Sequence, residues 1–253
     1  MTGILTKKQY RKASSKWSKT KILSRKKTIR RYIPSAKRYG KSALNTMLTR
    51  YSIVYVKPVR GSHGNGVMRV MRIGAHYSAQ IGAAIVKSST LAGLHALLSK
   101  RIGKRPYMIQ RGISLRRFRG AIFDLRIVTQ LRRSRRWQVT GMLARVAKPG
   151  MAVTNGAQGA SIHTVETVLK AYSGIRSIAG TKERLRQLCL SSAYHLQQSY
   201  PFLKELGFDI ALDAKLKPWI LEVNVRPEAI PFSRLADKTM YKRILSYRRA
   251  NKY

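Results

Sequence analysis

The sequence predicts an α+β protein, long enough for one large domain or two lobes. Three features carry that expectation: a strand, Gly-rich turn and strand over 51–73; two long strands joined by a basic turn over 123–147; and a second hairpin over 208–225 that follows a long amphipathic helix. With 253 residues, 44% of them hydrophobic, the chain has enough apolar material for a substantial core, and it shows no internal repeat.

The first fifty residues hold 16 Lys or Arg and no acid. Their apolar pattern is weak before Ile22 and Leu23, so residues 1–45 read as a basic arm, with one helix around Lys16 to Leu23 and a turn before Pro34. YSIVYVKP (51–58) is dense in β-branched and aromatic residues and reads as a strand, and VMRVMRI (67–73) alternates as its partner. RGSHGNG between them makes a flap. Leu91, Leu94, Leu97 and Leu98 give a helix over 90–102 one apolar face, and PYMIQRGI follows as a short strand.

FDLRIVTQL and WQVTGMLARVA read as paired strands across RRSRR. TKERLRQLCLSSAYHLQQSYPFLKEL then reads as an amphipathic helix, and FDIALD and PWILEVNV as a hairpin. From Ser233 the chain is again basic and helical, ending in a tail over 239–253.

The 52 Lys+Arg outweigh 9 Asp+Glu to give a formal charge of +43, which implies a polyanionic partner: nucleic acid, an anionic polymer, an acidic membrane face or an acidic protein. No segment approaches the roughly 20 apolar residues of a spanning helix, and the start lacks a signal-peptide core, so the expected setting is the cytoplasm. The single cysteine, Cys189, excludes an intramolecular disulfide and a cysteine-rich zinc site; among leucines at helical spacing it reads as a small buried apolar residue.

Acid is rationed. None precedes Asp124, yet five of the nine acidic residues fall within 205–228: Glu205, Asp209, Asp213, Glu222 and Glu228. Oxygen ligands for a hard cation are a natural reason to keep them, and ion pairs with the surplus arginines are the other. Two cations sit on neighbouring predicted strands. Lys57 precedes the flap glycines Gly61, Gly64 and Gly66, whose backbone amides can approach an anion, and Arg126 lies on a central strand. Each also has a plain reading: glycines for a tight turn, a solvated lysine, and an arginine pairing with Asp124 two residues before it on the same strand face. No Ser, Cys or His triad is supported by spacing.

Taken in order, YVKPVRGSHGNGV, IQRGISLRRFRGAIFDLRIVTQ, RRWQVTGMLARVAKPG, TNGAQGAS and ELGFDIALDAKLKPWILEVNVRP resemble the ATP-grasp superfamily, and within it the YheC/YheD family of proteins associated with bacterial endospore coats. The likeness runs from about Lys16 to Phe232. It implies an ATP-grasp fold, with a first lobe over 46–112 carrying the Gly-rich flap, a second over 113–238 carrying the metal hairpin, nucleotide held between the antiparallel sheets of the two lobes, and a reduced amino-terminal domain. It further implies that Lys57 contacts ATP phosphates, that Gly61, Ser62, Gly64 and Gly66 close over them, and that Gln110, Arg111, Gly112 and Ile113 hold adenine. Arg126 would meet phosphoryl oxygens, Asn155 would sit near the γ-phosphate, and Asp209, Glu222 and Asn224 would hold Mg²⁺, with Mn²⁺ as a substitute.

The activity implied is ATP-dependent ligation of a carboxylate to an amine or another nucleophile through an acyl phosphate. The carboxylate substrate is not identified, and the anionic partners would include acidic spore-coat components. Departures from the family pattern are an adenine segment without an acid, Ala160 in place of a second glycine after Gly159, and Gln158 where a basic residue can stand. Two further readings stay open: a non-catalytic nucleotide-binding scaffold of the spore coat, and a nucleic-acid-binding protein on the same fold.

Overall fold

The computed structural model describes residues 6–61, 64–148, 159–172 and 177–251, and the chain divides into two compact units. The amino-terminal helices belong to the larger one. Helix α1 (Lys7–Ala13) begins under a capping box between Thr6 and Gln9, and α2 (Lys16–Arg25) begins under Ser15, whose hydroxyl accepts the Ser18 amide at 3.1 Å. A single turn, α3 (Lys27–Arg30), follows.

The expectation of a basic arm is corrected here. Ala13, Leu23, Ile29 and Ile33 are buried in the main core of the larger unit, while Lys21, Arg25, Lys26, Lys27 and Arg30 are exposed. Those four apolar residues are too far apart for one amphipathic stripe, and only the turns between short helices bring them to a common core. That is why the segment reads as polar.

The smaller unit runs from Pro34 to Ser114. Its elements are β1 (Ala36–Arg38), α4 (Lys41–Arg50), β2 (Ile53–Pro58), β3 (Met68–Ile73), β4 (His76–Ile81), β5 (Ala84–Ser88), α5 (Leu91–Ile102) and β6 (Tyr107–Arg111). The strands form an antiparallel sheet in the order β1-β6-β2-β3-β4-β5. One face buries Val54, Val56, Met68, Val70 and Ile109 against Leu44, Met47 and Leu48 of α4 and Leu94 and Leu98 of α5. Between β2 and β3, Gly61, Gly64 and Gly66 have φ of 133°, 69° and 75°, the left-handed region that glycine alone adopts cheaply. At Gly66 a β-carbon would also stand 2.6 Å from the Tyr107 hydroxyl.

In the larger unit the chain continues through β7 (Arg117–Phe118), β8 (Ala121–Leu131), β9 (Trp137–Val146), β10 (Ser161–His163), α6 (Val165–Leu169), α7 (Ile178–Ser199), β11 (Glu205–Leu212), β12 (Pro218–Asn224), α8 (Ile230–Ser233) and α9 (Thr239–Asn251). The sheet order is β10-β9-β8-β11-β12, with β7 paired to β8. Helix α7 ends earlier than its apolar pattern suggests. Pro201 restricts the residue before it, and Tyr200 leaves the helix at φ −137°, freeing Glu205 and Leu206 for β11.

One face of this sheet carries Phe123, Leu125, Ile127, Leu206, Phe208, Ile210 and Val223 into a core shared with Leu185, the fully buried Cys189 and Leu196 of α7. On the opposite face, Val128 and Leu143 lie under Phe232 and Ile244 of α8 and α9. There Gly141 is required by contact, since a β-carbon would stand 2.5 Å from the Phe232 ring. Helix α9 is fixed by an ion pair of 2.9 Å between Arg248 and the buried Glu205 and by Asn251 donating to the Leu131 carbonyl at 2.8 Å. Among the described residues no helix is long and apolar enough to cross a membrane.

Candidate functional site

The half of that face left uncovered by α8 and α9 collects the polar side chains of four strands. In register, Asp124 stands opposite Arg145, Arg126 opposite Leu143 on one side and Asp209 on the other, Asp209 opposite Glu222, and Gly207 opposite Asn224. Two bulges make this possible. One inserts Thr140 into β9 between the partners of Val128 and Thr129; the other inserts Leu221 into β12 between the partners of Asp209 and Ile210. Because side chains alternate along a strand, each extra residue turns the following positions over, and without them Arg145 and Glu222 would face the apolar core.

The result is a connected ionic network. Arg126 donates from Nε to Asp209 Oδ1 at 2.6 Å and from Nη2 to Oδ2 at 3.2 Å, while Arg145 makes the same fork on Asp124 at 2.8 and 2.5 Å. Arg145 also reaches Asp209 Oδ1 at 3.1 Å, and Asn224 Nδ2 donates to Asp209 Oδ2 at 3.3 Å. Burial raises the Asp209 carboxyl, but Arg126 and Arg145 outweigh it and hold the group down at about 2. Burial likewise lowers the Arg145 guanidinium, and the two aspartates more than restore it, so it stays protonated. The expected pairing of Arg126 with Asp124 is therefore replaced: Arg126 takes Asp209, and Asp124 holds Arg145.

Glu222 is neutralised from elsewhere. Lys16 of α2 places Nζ 3.0 Å from Glu222 Oε1. One helical turn on, Lys19 is buried and donates to the Ala13 carbonyl at 2.5 Å. Burial pulls its ammonium down to about 7, a fall opposed by Glu222 and deepened by Lys16. The other acids of the 205–228 cluster have separate work. Glu205 binds Arg248, and Asp213 organises the β11–β12 turn by accepting from the amides of Lys215 and Lys217 at 2.9 and 3.0 Å and from Trp219 Nε1 at 2.9 Å.

Among the described residues no three His, Cys, Asp or Glu side chains cluster as a metal site. The hairpin offers two carboxylates and one amide, all oxygen donors on one face. That set fits Mg²⁺, which is commonly held by one or two carboxylates with phosphate oxygens and water completing its shell. Since Asp209 and Glu222 are both ion-paired, cation binding here means an exchange of partners.

In the smaller unit, Lys57 is only 7% exposed, and its Nζ donates to Gln110 Oε1 at 2.6 Å. The ammonium fixes the amide's orientation, because a flipped amide would set donor against donor. Gln110 Nε2 is then buried with no acceptor among the described residues, a state that costs about 1–3 kcal/mol unless a ligand supplies one. In the expected adenine segment, the Arg111 amide donates to Ser35 and the Gly112 amide to Ile53, both at 2.8 Å, and Gly112 is held against Ile53 too closely for a β-carbon. Arg111 stacks on Tyr51 with its guanidinium 5.0 Å from the ring centre. Of that segment's backbone donors, two thus serve the sheet. Ile113 follows directly, while Ser62 and Asn155 lie outside the described residues.

Of the residues expected at the site, Arg126, Asp209, Glu222 and Asn224 lie on neighbouring strands of one unit, and Arg145, Lys16 and Lys19, which no sequence signal singled out, stand beside them. The comparisons agree with the architecture. A family model described as YheC/D like ATP-grasp matches residues 8–250. The Endospore coat-associated protein YheD of Bacillus subtilis (strain 168) is 24% identical over an alignment of 226 residues that covers 87% of this chain and 49% of YheD, so the chain spans about half the length of that relative. The crystal structure of D-cycloserine synthetase DcsG superposes with a TM-score of 0.60 at 11% identity, covering 95% of this chain and 71% of that one, a likeness of fold alone.

Proposed function

Because the chain belongs to the YheC/D like ATP-grasp family, we propose that it binds ATP with Mg²⁺ and uses them to join a carboxylate to an amine or another nucleophile. The observation that carries this reading is the polar half-face of the larger unit, where two buried arginines and the Asp209, Glu222 and Asn224 oxygens are gathered on one face by two bulges. In the first step a carboxylate oxygen would bond to the γ-phosphorus as its bond to the β–γ bridging oxygen breaks, releasing ADP. In the second the nucleophile would attack the acyl carbon and inorganic phosphate would leave.

On this reading the protein's contribution is charge and position. Lys57 and the flap bind phosphate, with Gln110 orienting the lysine. Arg126 and Arg145 neutralise phosphoryl oxygens, and Asp209, Glu222 and Asn224 hold Mg²⁺, which when bound offsets phosphate charge. The setting would be the endospore coat, as for YheD. Hydroxylamine added with ATP, Mg²⁺ and a panel of amino acids, short peptides and dicarboxylates should trap a hydroxamate and release ADP in step with it. ATP binding without hydroxamate or carboxylate-stimulated ADP release across the panel would instead mark a non-catalytic coat scaffold.

The charge of +43 supports a second, concurrent property: retention on polyanions. Exposed Lys21, Arg25, Lys26 and Lys27 lie together on α2 and its continuation into α3. Binding to mixed-sequence duplex DNA should fall steeply with salt, and changing these four to Gln should flatten the log–log slope by about 1 for each phosphate that is no longer neutralised. Salt-independent retention, or discrimination between DNA sequences, would count against a charge-driven surface.

A further inference from the structure

The two carboxylates of the β11–β12 hairpin are neutralised by unlike means. Asp209 is held by two arginines of its own sheet, Arg126 and Arg145, the second of which is also forked onto Asp124. Glu222 is held by Lys16, a residue of a separate helix that packs beside the edge strand β12. Lys16 sits in the first turn of α2, where the helix dipole disfavours a cation, and its side chain is 8% exposed in a chain whose cations are otherwise mostly solvated. Both dipole and burial oppose a charge at that position. The Glu222 carboxylate, 3.0 Å from Nζ, offsets them.

The surroundings support an exchangeable contact. Lys16, Lys19, Thr20, Glu222 and the flanking β12 residues line a small cavity between α2 and the hairpin. The ammonium ends a flexible four-carbon stem, unlike the forked arginines on Asp209, and can leave the carboxylate without disturbing the helix backbone.

We infer that Lys16 is a tethered cation that occupies the Glu222 carboxylate and competes with a divalent metal for it, so that the amino-terminal helix sets the metal affinity of the hairpin. The inference rests on the reading of Asp209, Glu222 and Asn224 as the metal site. Its physical content is that a metal ion must displace an internal ammonium, and that removing the ammonium while keeping the stem unmasks the site.

Mn²⁺ alone, titrated into the full chain and followed by loss of the free-ion paramagnetic resonance signal, tests both. Lys16→Met should tighten Mn²⁺ binding by roughly tenfold, whereas Met at the exposed Lys21 should change it less than about twofold, as expected for a screened surface charge. Glu222→Gln should weaken Mn²⁺ binding on its own and abolish the gain when combined with Lys16→Met. Unchanged or weaker binding in Lys16→Met, with Glu222→Gln still harmful, overturns the tethered cation and leaves the metal hairpin standing. An equal gain from Lys21→Met overturns it too, by showing a general field. If Mn²⁺ binds irrespective of Glu222, the metal reading itself fails. Should Lys16→Met not fold, as judged by melting, Lys16→Gln carries the same expectations.

Discussion

Asp209→Ala should lower the stability of the larger unit by roughly 3–5 kcal/mol, the usual cost of removing one partner from a buried ion pair. The carboxylate accepts from Arg126 at 2.6 Å and from Arg145 at 3.1 Å. Asp124 still holds Arg145 in the variant, but Arg126 is left buried on a strand with its principal anion gone. Arg126→Ala should cost less, since Asp209 keeps Arg145 and Asn224. The three tryptophans, Trp17, Trp137 and Trp219, all belong to the larger unit, so urea unfolding followed by their fluorescence reads this unit in particular. A loss below about 1 kcal/mol would place the pair among solvated surface bridges and undo the network described above.

The same group gives a signed pH dependence. The Asp209 carboxyl is depressed from 3.8 to about 2 in the fold. An unfolded chain therefore takes up its proton first as pH falls, and the stabilisation is complete above pH 4 and lost on descending through 2. The gap between wild type and Asp209→Ala should narrow over that window and remain constant between pH 5 and 7.

Strand pairing was legible in the sequence because alternation and turn composition are local signals. FDLRIVTQL and WQVTGMLARVA pair across RRSRR as read, and FDIALD and PWILEVNV form the expected hairpin. What could not be read was which face each residue takes beyond a bulge. Counting outward from RRSRR without Thr140 as an extra residue sets Ala144, not Arg145, across from Asp124, and this is why Arg145 went unnoticed. Counting from the Asp213 turn without Leu221 would likewise turn Glu222 inward; there the resemblance to a family pattern carried what periodicity could not. Lys16 and Lys19 were hidden differently. Among 16 basic residues in the first fifty, nothing local separates two buried lysines from solvated ones until the helix that carries them is seen against β12.

Lys57→Ala should weaken ATP binding by roughly a hundredfold, because a charge-assisted contact made from a buried position is worth about 2–5 kcal/mol when one partner is truncated. Lys57 is 7% exposed, and its Nζ donates to the Gln110 carbonyl oxygen at 2.6 Å. Gln110 in turn leaves its own Nε2 buried without an acceptor among the described residues. A buried cation beside a bare donor is what an anionic ligand with several acceptor oxygens would engage together. Removing the lysine should therefore hurt ligand binding far more than folding, with the melting temperature changed by only a few degrees while calorimetric ATP affinity collapses. Gln110→Leu should weaken ATP less than Lys57→Ala, since it loosens the ammonium without deleting it. Equal ATP affinity in wild type and Lys57→Ala would move the nucleotide off this strand. A Lys57→Ala protein that melts far below the wild type would mean the pair is kept for the sheet itself.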